Sequence, residues 1–114
     1  MLDYIDMTLP FDGSEIKFRL LPLKRKKAML VAHKFIGHLQ EKDGNITMIP
    51  FEVLDEIAQS LFTKSFINTD EGPKEIKDYS EFFEDKIDLF YQAIGEGIRV
   101  NCPDLFTRLE KASQ

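Results

Sequence analysis

Tryptophan is absent from this chain of 114 residues, cysteine occurs once and histidine twice. The lone Cys102 has no disulfide partner within the chain and stands beside Pro103 with no histidine nearby to activate a thiolate. His33 and His38 are five residues apart, about 140° around a helix of 3.6 residues per turn, so they cannot chelate one metal ion together. No glycine-rich phosphate loop, zinc-ligand spacing or nucleophile motif is present. Carboxylates are plentiful, but no spacing selects two of them as general acid and base. These absences lead to the expectation of a protein that is not an enzyme and binds no cofactor or metal. No run approaches the roughly 18 apolar residues of a membrane span, and the first residues, MLDYIDMTLPFD, are acidic where a secretory signal is basic and then apolar. A soluble cytosolic protein is therefore expected. With 43% apolar residues and a size that buries roughly two thirds of its unfolded surface, the chain reads as one domain, 1–114.

Charge of one sign is scarce in each half. Residues 15–42 hold eight Lys and Arg against Glu15 and Glu41, a balance of +6, while residues 52–96 hold twelve acids against four lysines, a balance of −8. The overall charge of −5 hides this polarity. It suits intramolecular docking, head-to-tail assembly or attraction of a charged partner, or it describes two solvated faces of opposite sign. The acidic total and the lack of a reading motif argue against nucleic acid as a target.

What is present is a set of periodic segments. Residues 2–9 and 15–21 alternate apolar and polar around Asp12-Gly13, which predicts a β-hairpin within residues 1–21. The remainder, 22–112, reads as helical, giving a mainly α domain of about four helices with an N-terminal β-hairpin, α+β through that hairpin alone. Pro22 opens a helix over about 23–42 with Met29, Leu30, Ala32, Phe35, Ile36 and Leu39 inward. Its first turn carries Lys24, Arg25, Lys26 and Lys27, where the helix dipole disfavours cations. That placement marks them as candidate partner-binding residues, although four consecutive residues also point all round a helix into solvent. A second helix starts near Pro50, with Thr47 as its cap and Phe51, Leu54, Ile57, Ala58, Leu61 and Phe62 as its stripe. The string 64–77, broken by Gly72-Pro73, reads as a mobile loop. The longest element is expected at 78–100. There Asp78 and Glu81 have capping-box spacing, and Tyr79, Phe82, Phe83, Ile87, Phe90, Ile94 and Ile98 make one apolar stripe. Gly95 and Gly97 near its end predict fraying, bending or a close approach. A last short helix is expected over 103–112. The expected core joins Phe35, Leu39, Leu54, Ile57, Leu61, Phe83, Ile87, Phe90 and Ile94. Between the second and third helices Phe51, Phe82 and Tyr91 exceed what so small a core holds, and they define a candidate groove for a partner helix.

Two phrases carry a family resemblance. One is Glu15-Ile16-Lys17-Phe18-Arg19-Leu20-Leu21-Pro22-Leu23, a strand running straight into a helix. The other is Arg99-Val100-Asn101-Cys102-Pro103-Asp104-Leu105, a turn after a long helix. Together they resemble the small tail assembly chaperones of tailed bacteriophages. The resemblance implies a mostly helical protein of the host bacterial cytoplasm, without catalytic residues. Such a protein coats the tape-measure protein during tail assembly and is capable of self-association. The alternatives from other classes are a structural virion or baseplate component and a cytosolic protein–protein adaptor.

Overall fold

Residues 4–103 are described by the computed structural model of the chain, and its first hairpin follows the alternation. Strands β1 (Ile5–Phe11) and β2 (Ser14–Leu20) pair antiparallel, with Ile5 opposite Leu20, Met7 opposite Phe18 and Leu9 opposite Ile16. The period of two thus gathers the apolar side chains on one face, where Met7, Leu9, Phe18 and Leu20 are buried. Pro10 and Phe11 still pair, so the loop is Asp12-Gly13 alone, with φ of 50° and 75°. Two left-handed residues match the twist of the strands, and glycine and aspartate tolerate that conformation.

The expectation of a mostly helical domain with one hairpin is overturned, because residues 64–77 are not a loop. They form a second hairpin, β3 (Phe66–Thr69) and β4 (Gly72–Glu75), and the four strands make one antiparallel sheet in the order β1-β2-β3-β4. The protein is α+β, with 22% strand. β3 joins the open edge of β2 through Phe18 opposite Ile67 and Arg19 opposite Phe66. Gly72 supplies a φ of 110°, and the Thr69 hydroxyl donates to its carbonyl at 2.6 Å. Buried Ser65 fixes both ends of the hairpin: its hydroxyl donates to the Phe62 carbonyl at 2.7 Å, and its own carbonyl accepts from the Ile76 N–H at 2.9 Å. Gly72-Pro73 opens the outermost strand, where a missing N–H donor leaves no ladder bond unmade.

Helix α1 spans Arg25–Glu41 and buries Ala28, Val31, Ala32 and Phe35, a set at i, i+3, i+4 and i+7. Met29 and Leu30, expected inside, are 47% and 60% exposed, and Leu39 is half-buried. The small alanines let the helix lie close against its neighbours, so the bulkier pair ends outside. A 3-10 turn at Ile46–Met48 follows. Its cap is Asn45, whose side chain accepts from the Thr47 N–H, so Thr47 is inside the turn and does not cap the next helix. Helix α2 (Phe51–Phe62) starts after Pro50 and buries Leu54, Ile57, Ala58, Leu61 and Phe62.

The single helix expected over 78–100 is two. Helix α3 (Tyr79–Phe83) is capped by Asp78, whose carboxylate accepts from the N–H groups of Ser80 and Glu81 at 3.0 and 3.4 Å. The Ser80 hydroxyl bond and then these amides hold the Asp78 carboxyl below its usual range. After Glu84 and Asp85 the chain leaves helical geometry at Lys86 (φ −137°, ψ 53°), and helix α4 runs Ile87–Asn101. The Lys86 ammonium donates to the Phe82 carbonyl at 3.2 Å, satisfying a group left orphaned at the end of α3. The break changes the phase of the stripe: Phe83 and Phe90 both face inward with ring centroids 5.5 Å apart, while Ile87 between them is 52% exposed rather than in the core. The Tyr79 hydroxyl donates to the carboxylate and the carbonyl of Asp55, which ties α3 to α2.

α4 packs across β1 and against α1 and α2, so the core lies between the inward sheet face and the helices. A Cβ on Gly97 would meet Leu61 Cδ1 at 3.1 Å, which explains that glycine as the point of close approach to α2; α4 does not fray there. Gly95 has no neighbour that explains it. At the end of α4 the Asn101 side chain accepts from the Leu23 N–H at 3.0 Å and donates to the Gly97 carbonyl at 2.8 Å. The two phrases that carry the resemblance therefore meet in space. The last expected helix falls almost wholly on residues 104–112, outside the described ones.

Candidate partner-binding surface

The four basic residues before and within the first turn of α1 do not form one patch. Lys24 occupies the N-cap position without a side-chain hydrogen bond, and the first turn holds no acid. Lys24 and Lys27 face the shallow cleft toward α2, where Glu56, Gln59 and Thr63 stand. Lys34 pairs with Glu56. That hydrogen bond and charge, with a smaller push from Lys27, hold the Glu56 carboxyl below its usual range. Arg25 and Lys26 turn the other way. They border an open apolar surface made by Met29 and Leu30, with His33 beside it.

The three candidate aromatics also separate. Phe51 is 59% exposed at the first residue of α2, its ring centroid 6.4 Å from that of buried Phe90. The Tyr91 ring centroid is 6.0 Å from that of Phe90, and Tyr91 is half-buried. Phe82 is not part of this group. It packs edge-on against Phe83 at 4.8 Å and Phe18 at 6.1 Å, with the Lys86 ammonium 5.0 Å above its ring. Its free side borders a different cleft, between the β3–β4 hairpin and α3, lined by Ile67, Lys74 and Ile76 and by charges of both signs.

Two further residues belong to the Phe51 surface: Met48, which the sequence did not single out, and Ile87, which it placed in the core. Met48, 61% exposed, ends the 3-10 turn just before α2, and Ile87, 52% exposed, lies one helical turn before Phe90 and Tyr91. The Phe51–Phe90 contact brings the starts of α2 and α4 together, so Met48, Phe51, Ile87 and Tyr91 belong to the same end of that helix pair and make up its apolar strip. Exposed Glu52 and Asp88 follow Phe51 and Ile87 directly, and exposed Glu84 and Asp85 precede α4. Lys86 pairs with Asp85 at 2.7 Å. A single sequence could have announced Ile87 only through the charged Glu84-Asp85-Lys86 interruption of the stripe.

Burial raises the half-buried Cys102 thiol above its ordinary pKa, away from the thiolate form. His33 is exposed, and His38 lies on the same helix with its Nδ1 3.9 Å from Glu41. Among the described residues no group of three His, Cys, Asp or Glu is placed to hold a metal ion, and no helix is long and apolar enough to cross a membrane. By architecture this is an α+β domain with an acid-flanked apolar strip on its helical side. Comparison with protein-family models, curated proteins and solved structures finds no match to the chain.

Proposed function

We propose that the protein is a binding module that shields amphipathic helical surface on a partner, acting as a tail assembly chaperone acts on a tape-measure protein in the host bacterial cytoplasm. The observation that carries this reading is the strip of Met48, Phe51, Ile87 and Tyr91. Apolar side chains at the starts of two neighbouring helices offer a seat for a helix presenting its own apolar residues at i, i+3, i+4 and i+7. Glu52 and Asp88 favour a partner with basic residues beside that stripe.

Magnitudes limit how such a strip acts. Met48, Phe51 and Ile87 are 61%, 59% and 52% exposed, so covering what remains is worth about 1 kcal/mol each. Bringing two molecules together costs about 4 kcal/mol or more. One strip is then a weak anchor, and firm coating of a long helix requires many copies bound along it.

Co-expression with the long tail protein encoded in the same genome tests the reading. The partner should be soluble and co-purify with the wild-type chain, and Phe51→Ser with Ile87→Ser should abolish both effects while leaving the fold intact by circular dichroism. A partner equally soluble alone, never co-purifying, would leave the structural-component alternative in its place.

A further inference from the structure

Two apolar surfaces on this molecule are rimmed by opposite charge. Met29 and Leu30 of α1 are 47% and 60% exposed and bordered by Arg25, Lys26 and His33, with no acid in that first turn. The strip at Met48, Phe51 and Ile87 is flanked by Glu52 and Asp88. The two surfaces lie toward opposite ends of the helix pair. Residues 42–50 reverse the chain between α1 and α2, and Lys34 pairs with Glu56. Phe51 is therefore level with about residue 39 of α1, roughly 15 Å along the axis from Met29 at 1.5 Å per residue.

We infer that the occupant of the acid-flanked strip, when no client is present, is the basic-rimmed face of α1 from a second copy of this chain. A contact between two different patches is heterologous: each copy gives one surface and keeps the other free, so association either closes into a ring or continues. Complementary rims fix its polarity, because like patches would oppose like charges. The client helix of the proposed function and the second copy then compete for the same strip, and only this competition rests on that reading.

Sedimentation velocity on the protein alone, at low and high salt, tests the inference. Mass should rise with concentration at low salt and fall back toward monomer at high salt, since surface charge pairs are screened beyond about 3 Å in 1 M salt. Arg25→Glu with Lys26→Glu gives two acidic rims, and Glu52→Lys with Asp88→Lys gives two basic ones. Each double variant should be monomeric alone and keep the wild-type circular dichroism spectrum, with a somewhat lower melting temperature for Glu52→Lys, Asp88→Lys because those carboxylates occupy helix first turns, and mixing the two should restore association. A wild-type chain monomeric in all conditions overturns the inference. So does a Glu52→Lys, Asp88→Lys variant that associates as wild type does, since that would place α1 against α1. So does a mixture that stays monomeric. The Arg25→Glu, Lys26→Glu variant keeps its strip and should still hold the client, so loss of self-association and loss of client binding are separately visible.

Discussion

Each strand of the first hairpin has seven residues, each strand of the second four. The difference in what they bury is larger than the difference in length. β1 and β2 place Met7, Leu9, Phe18 and Leu20 in the core, whereas β3 and β4 contribute half-buried Phe66 and Ile67 and otherwise exposed side chains or half-buried Gly72. A two-stranded ribbon alone is marginal in water. The first hairpin is held by its own buried face. The second depends on others: the edge of β2, the Ser65 bonds at its base, and the Tyr79–Asp55 tie just beyond it.

The largest effect that would test this contrast is at Phe18, which is 1% exposed and packs against Phe62, Phe82 and Phe83. Phe18→Ala should cost about 3–5 kcal/mol, a drop in melting temperature of at least about 12 °C for a domain of this size. Both hairpins should be lost together, since Ile67 pairs with Phe18. A melt displaced by only a few degrees would show that the shared core is elsewhere.

Gly72→Ala reaches the second hairpin alone. Forcing a side chain to a φ of 110° costs about 1–3 kcal/mol. Hydrogen exchange should quicken across residues 66–75 while the β1–β2 amides keep the rate set by global unfolding; equal acceleration in both hairpins would erase the distinction. Tyr79→Phe should have a smaller effect, about 1 kcal/mol for one hydrogen bond. Burial first, and the Asp55 carboxylate second, push the Tyr79 phenol from 10.0 up to about 12. A raised folded-state pKa means the protein holds this proton more tightly than the unfolded chain does. Its contribution is complete below pH 10 and disappears between pH 10 and about 12. Denaturant midpoints across that range should fall for the wild type, and part of the slope should vanish in Tyr79→Phe. The smallest change expected is a gain: Gly37, exposed in the middle of α1 with open space where a methyl group would point, should stabilise by about 0.5–1 kcal/mol on replacement by Ala. In exchange measurements that gain should appear in the first hairpin and not in the second, whose opening is local.

The same contrast explains what could be read from the chain. Strict alternation on both sides of Asp12-Gly13 carries the first hairpin, because each strand is long enough for the period to show. Phe66-Ile67-Asn68-Thr69 is too short for that, and Gly72-Pro73 reads as punctuation; these residues become strand because β2 offers an edge. At Phe83, Ile87 and Phe90 the spacing fits a continuous helix, and what breaks it is tertiary: Phe83 packs under Phe18 and Phe62. In α1 two stripes fit the sequence equally well. Both contain Ala32 and Phe35; hydropathy favours the one that adds Met29 and Leu30, but packing chose the one that adds Ala28 and Val31, because the small Ala28 and Ala32 permit close approach. The apolar strip inherits both outcomes. Of the three aromatics that exceed a small core, Phe51 stays exposed while Phe82 and Tyr91 are both half-buried against the core, and Ile87 was concealed by an apparently perfect stripe.

The strand order also governs time. β2 and β3 are neighbours in the sheet, yet residues 21–65 intervene, and they include α1 and α2. A hairpin such as β1–β2 closes in about 1–10 μs, whereas pairing across a long connection waits for the loop entropy to be offset by non-local contacts. During that interval the β2 edge presents unpaired amides and carbonyls bordered by Phe18, a template that another molecule's strand can occupy as readily as β3. Refolding should therefore be first-order and complete when dilute. At high concentration it should lose yield to intermolecular pairing, a loss that added β3–β4 peptide would aggravate by occupying the same edge.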